Sequence, residues 1–218
     1  MWRAVISLFV AVLGVALGGC VSTEQERAQD YNEDGVYLYR RGDYMGARES
    51  FKAALALQPE DAGLLFNVGE CYDRLGKTAK AEQYYNECLK RSPNHASCRH
   101  ALTALLVGAG RRPEAERMVA DWMAREPKLA MPYAEDGWLQ HEAGNLPQAQ
   151  ARLQQALEFD PHDNRTLTEL ALVYEEMNRP DRALVLYERA LERDPHQPEL
   201  TERVNFLLAK GAGRPHPD

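Results

Sequence analysis

Basic residues are too few for a chain that grips polyanions: 26 Lys and Arg stand against 33 Asp and Glu in 218 residues, a formal net charge of −7. A surface of that sign repels phosphate backbones, which excludes nucleic acid as a main partner. Cysteine is also scarce, with four residues, well short of the density of a disulfide-stapled scaffold. Apolar runs of spanning length are missing. The longest, Ala4 to Leu17, falls short of the roughly 20 residues a membrane helix needs.

That run follows Arg3, the only charged residue among the first nineteen, and ends in Leu17-Gly18-Gly19-Cys20. A positive start, a short apolar stretch and small residues before a cleavage point describe a secretory signal, residues 1–19. The Leu-Gly-Gly-Cys end resembles the bacterial lipobox. The resemblance implies a lipid thioether on Cys20, cleavage before it and N-acylation after it. Acyl chains at roughly 0.8 kcal/mol per buried CH₂ hold such a chain firmly on a membrane without spanning it. Val21 in place of Asp points to the outer membrane by the sorting rule of enteric lipoproteins, with residues 20–27 as a short periplasmic tether.

The rest of the chain is organised by one period. Pro59, Pro93, Pro127, Pro161 and Pro195 recur every 34 residues, as do Ala47, Ala81, Ala115, Ala149 and Ala183. A third column runs Gly42, Gly76, Gly110, Gly144 and then Asn178. Apolar spacing inside each unit is helical: Leu65, Val68 and Tyr72 mark one helix face, and Ala81, Tyr85, Cys88 and Leu89 mark another. The glycine column falls where the first helix must end, at a position that favours the left-handed conformation. Glycine reaches it without a Cβ clash and asparagine is the next most tolerant residue, so the exception at Asn178 follows the same physics. An array of helix-turn-helix repeats is predicted.

With its aromatic or apolar fourth position, small eighth, alanine twentieth, aromatic twenty-fourth, small twenty-seventh and proline thirty-second, the unit resembles the tetratricopeptide repeat (TPR). Tyr31, Gly35, Ala47, Phe51, Ala54 and Pro59 show the full set in the first copy. The resemblance implies an all-α, right-handed solenoid of repeats at 28–61, 62–95, 96–129, 130–163 and 164–197. An amphipathic segment, 198–210, with Leu200, Val204, Leu207 and Leu208 on one side, reads as the capping helix that such arrays need. Residues 211–218 read as a disordered tail. The third repeat is irregular, carrying Arg99, Thr103 and Trp122 at its fourth, eighth and twenty-seventh positions, and Asp136 follows at an apolar seventh position. A loosened junction between repeats three and four is expected from these departures.

In proteins similar to this one the first helices line a concave groove that holds a partner peptide or helix. The corresponding positions give Tyr39, Phe66, Glu70, His100, Met131, Trp138, His141 and Glu175 as candidate protein-binding residues. The aromatic members are candidate anchors, and the glutamates of the C-terminal half favour a basic segment. The carboxylate clamp of chaperone-tail-binding TPR domains is not matched, because only Asn67 is present, opposite Ser97 and Ala101. Cys88 and Cys98 flank the Pro93 turn evenly, a placement that fits either a disulfide stapling repeats two and three or two small buried residues. His95, Cys98 and His100 lack a fourth ligand at a recognised spacing, so no metal site is assigned. No catalytic constellation and no cofactor-binding motif stands outside the repeats. The expected function is therefore that of a membrane-anchored adaptor for an envelope protein, resembling in architecture pilotin lipoproteins of type IV pili or adaptors of peptidoglycan hydrolases. A structural homo-oligomer is the alternative, and an enzyme a distant third.

Overall fold

A computed structural model describes residues 24–213. The signal segment, Cys20 with its proposed lipid, and residues 214–218 of the tail lie outside the described residues. Those described are all-α, with no strand among them. Helix α1 covers residues 24–40. It is followed by α2 (Tyr44–Leu57), α3 (Ala62–Arg74), α4 (Thr78–Arg91), α5 (Ala96–Gly108), α6 (Arg112–Arg125), α7 (Ala130–Glu142), α8 (Leu146–Phe159), α9 (Asn164–Glu176), α10 (Pro180–Arg193) and α11 (Pro198–Ala209). Residues 24–27, read from the sequence as tether, are thus the opening turn of α1.

Helix starts and stops follow from single residues. The Asp61 carboxylate accepts the Leu64 amide at 2.9 Å and the Asp163 carboxylate accepts the Thr166 amide at 2.7 Å, each satisfying a donor that the first turn leaves unpaired. At the other end Gly76 adopts φ +67°. Its own amide donates to the Asp73 carbonyl at 2.8 Å and the Lys77 amide reaches back to Tyr72 at 2.8 Å, the paired bonds of a Schellman stop. Asn178, at φ 56°, is the one non-glycine residue with positive φ among the described residues, and the Arg179 amide closes the same bond to Tyr174 at 2.8 Å.

Two compact units divide the chain at Gly110/Arg111. The first holds α1 to α5, with Ala47, Phe51, Val68, Ala81 and Tyr85 buried. A Cβ on Gly69 would meet the Tyr85 ring at 2.6 Å, so the eighth position is small because the twenty-fourth side chain lies on it. The second unit holds α6 to α11 around Leu153, Leu167, Leu170, Leu184, Tyr187 and Leu207. The division falls inside repeat three and not between repeats three and four, as the sequence suggested. Helices α6 and α7 belong to the same unit, and the Arg112 guanidinium donates to the Leu139 carbonyl at 2.9 Å.

The unusual residues of the third repeat each find a place within their own unit. Arg99 is buried and donates to the Pro93 carbonyl at 2.5 Å, the Thr103 hydroxyl donates to the Arg99 carbonyl at 2.7 Å, and Trp122 is buried on α6. Asp136 does not pack as an apolar residue would; it pairs with the Arg152 guanidinium at 2.7 Å. Gly211 and Ala212, assigned to the tail from sequence, instead terminate α11: Gly211 has φ +86°, and the Ala212 amide donates to Leu207 at 3.1 Å.

Candidate protein-binding faces

In the first unit, Tyr39 stands on α1 and Glu70 on α3, and the two meet with the Tyr39 hydroxyl donating to the carboxylate at 3.2 Å. The same hydroxyl accepts from the Arg74 guanidinium at 3.1 Å, while Tyr85 on α4 donates to the other Glu70 oxygen at 2.6 Å. Burial, helped by the bond to Glu70, pushes the Tyr85 phenol far above its ordinary range. Phe66, one turn earlier on α3, lies against the rings of Tyr85 and His95 with centroids 6.2 and 5.8 Å away. Val36, Tyr39, Arg40, Phe51, Phe66, Asn67 and Glu70 line an open cavity of about 290 Å³. Its lining joins the apolar Val36, Phe51 and Phe66 to a carboxylate and a hydroxyl that are bonded to one another.

The second unit presents a charged face. His141 on α7 bridges two carboxylates of α9, Nδ1 to Glu169 at 2.6 Å and Nε2 to Glu176 at 3.1 Å. Burial opposes charging this ring, but the hydrogen bonds to the two glutamates outweigh it and the pKa is raised. Glu175 accepts from the Tyr187 hydroxyl at 2.8 Å and from both arms of the Arg203 guanidinium at 2.7 and 2.6 Å. Glu135, which is buried, pairs with Arg165 at 2.8 Å. The acidic character expected of this half is thus compensated in part from within the fold, by His141, Arg165 and Arg203.

Cys88 of α4 and Cys98 of α5 are joined as a disulfide with Cα atoms 6.5 Å apart. Cys71 is free and buried, its thiol pushed up to about 12 by burial.

Tetratricopeptide repeat models match residues 34–96 and, for a second model, residues 74–131 and 140–202. The chain belongs to the tetratricopeptide repeat family. Among solved structures, a thermophilic TPR protein of Thermus thermophilus shares 26% identity, with 84% of this chain and 99% of that one covered and a TM-score of 0.66. Human Protein O-mannosyl-transferase TMTC3 is 26% identical over 188 residues, which is 79% of this chain and 20% of that protein. A TPR repeat-containing protein of Methanocaldococcus jannaschii is 26% identical over 160 residues, 68% of this chain and 28% of that protein. The chain therefore spans under a third of the length of these two curated relatives.

Within the TPR frame the predicted groove residues separate into three groups. Tyr39, Phe66 and Glu70 come together around the cavity, half-buried where the sequence suggested open aromatic anchors. His100 is half-buried on α5 and does not line it, and Met131 and Trp138 are half-buried on α7. His141 and Glu175 are held in the bridges just described. Sequence reasoning missed Arg74, Tyr85 and Arg203. Tyr85 carried a signal, since its column holds Phe51 in repeat one and only a tyrosine brings a hydroxyl to the core edge. Arg203 carried none, lying beyond the last repeat.

Proposed function

We propose that this TPR chain is a non-catalytic adaptor that holds a protein partner on the first-helix faces of its repeats. Its place is the cell envelope, tethered through a lipidated Cys20 to the outer membrane and facing the periplasm. There it would assist assembly of a pilus or secretion machine, or recruit a cell-wall enzyme. The observation carrying the binding role is the open cavity of about 290 Å³ whose aromatic lining and Tyr39–Glu70 pair suit one side chain of a docked segment. The non-catalytic reading is supported by how the titratable groups are spent: Glu70, Glu135, Glu175 and His141 are engaged by neighbours that hold the fold.

Crosslinking the lipidated protein in its native envelope, followed by affinity capture, tests this with Tyr39→Ala/Phe66→Ala beside the unaltered chain. A partner captured by the unaltered chain and lost from a folded variant is expected. The same partners captured by both would remove the cavity from the binding role, and self-capture alone would favour the homo-oligomer. Cys20→Ser should move the protein from the membrane fraction to the soluble one. Retention on the membrane would overturn the anchor.

A further inference from the structure

The Pro93 turn brings three metal-ligating side chains to one point. Cys88 at the end of α4, His95 at the N-cap of α5 and Cys98 in its first turn each offer a ligand atom, and these atoms lie within 4.8 Å of one another. His100, which the sequence placed with Cys98, is not in the group; Cys88 is. Both sulfurs are fully buried among Leu65, Leu55 and Phe66, while His95 is half-buried. The His95 ring is already oriented, because its Nδ1 accepts the Cys98 amide at 3.2 Å and its face lies near Phe66. The Nδ1 lone pair is thus taken up by the Cys98 amide, while either ring nitrogen can serve as the ligand atom.

We propose that Cys88, His95 and Cys98, once reduced, form a zinc(II) site, so that this turn alternates between a disulfide and a Cys₂His metal centre. Reduction consumes two thiols of a small or protein reductant: the Cys88–Cys98 bond accepts two electrons and two protons, and the reductant leaves as its own disulfide. Zinc(II) then displaces one proton from each thiol and binds two thiolates and the imidazole, releasing two protons. The loaded centre carries no net charge, which suits its apolar surroundings, whereas copper(I) on the same ligands would leave one negative charge there. Three protein donors are the set of an open zinc site, with water as the fourth ligand from the half-exposed His95 side. Soft thiolates at this spacing exclude magnesium and calcium. Binding through Nδ1 costs the capping bond of α5, since that lone pair accepts the Cys98 amide, whereas binding through Nε2 keeps it.

The test uses the full chain with Cys71→Ser, reduced by a phosphine that is then removed, and titrated with zinc(II) against a chromophoric chelator. Expected are one equivalent bound per chain, both thiols shielded from alkylation, and no binding by the disulfide form. His95→Asn keeps a capping side chain while deleting the imidazole, and should weaken zinc by at least about 10-fold, the loss that even an outer-shell change brings. Cobalt(II) in place of zinc should give the intense visible absorption of a thiolate-bound tetrahedral ion. Four results would each overturn the assignment: zinc binding no tighter than in Cys88→Ala/Cys98→Ala, equal binding by His95→Asn, binding of copper(I) but not zinc, or helix loss on reduction that zinc does not restore.

Discussion

A methyl group at Gly69 would sit 2.6 Å from the Tyr85 ring, closer than carbon atoms approach, so Gly69→Ala forces the ring or α3 to move. Overpacking of this kind costs about 1–3 kcal/mol, and the loss should appear as a lower urea midpoint with an unchanged slope. His141 makes a second residue-level case, through pH. Its folded pKa is raised because bonds to Glu169 and Glu176 outweigh burial, so its contribution to stability is complete below the ring's ordinary pKa of about 6.5. That contribution is lost as pH rises through the raised folded value. His141→Gln should therefore lower stability more at pH 6 than at pH 9, about these ordinary titration limits. Equal losses at both would show that the ring acts by packing alone. The Gly69–Tyr85 contact was written in the small eighth and aromatic twenty-fourth columns of the repeat, whereas the His141 bridges were not, since their carboxylate partners sit on another helix and no column of the repeat records them.

Helix ends, in contrast, were written openly in the chain, because a left-handed stop restricts the residue type whatever surrounds it. The Gly42 to Gly144 column and Asn178 all have positive φ. Asn178→Ala places a Cβ-bearing residue without asparagine's tolerance there and should cost about 1–2 kcal/mol, while Asn178→Gly should be neutral or slightly stabilising. Thermal melts of the two variants check the order. The α4–α5 turn is the element whose covalent state matters most. The Cys88–Cys98 bridge closes a loop with a sequence separation of 10, for which chain entropy predicts roughly 2–3 kcal/mol of stabilisation. Reduction without metal should lower stability by that amount, with faster amide exchange concentrated in α4 and α5. From sequence the pair was open between a bridge and two small buried residues, because a spacing fixes which helices carry the cysteines but not how their Cβ atoms face.

At the scale of the whole chain, a repeat array transmits stability between neighbours, and the last repeat depends on what covers it. Helix α11 supplies that cover in the second unit. Leu207 is buried in the cluster of α8, α9 and α10, Leu200 and Val204 pack against it, and Arg203 neutralises Glu175 while touching the carboxylate that also holds Tyr187. The amphipathic pattern announced a cap, yet it did not announce that the cap would pair with a predicted groove glutamate, since polar positions on a helix specify no partner. Truncation after Gln197 should expose Leu184 and Tyr187 and strand Glu175 beside them. Burial of Leu207 alone is worth about 1.5–3 kcal/mol, so protection from amide exchange should fall first in α9 and α10, while α2 and α3 of the first unit keep theirs. Restoring the segment with Arg203→Ala should recover the packing but not the pairing, returning part of that protection. Unchanged exchange in α9 and α10 after truncation would show that α11 caps nothing.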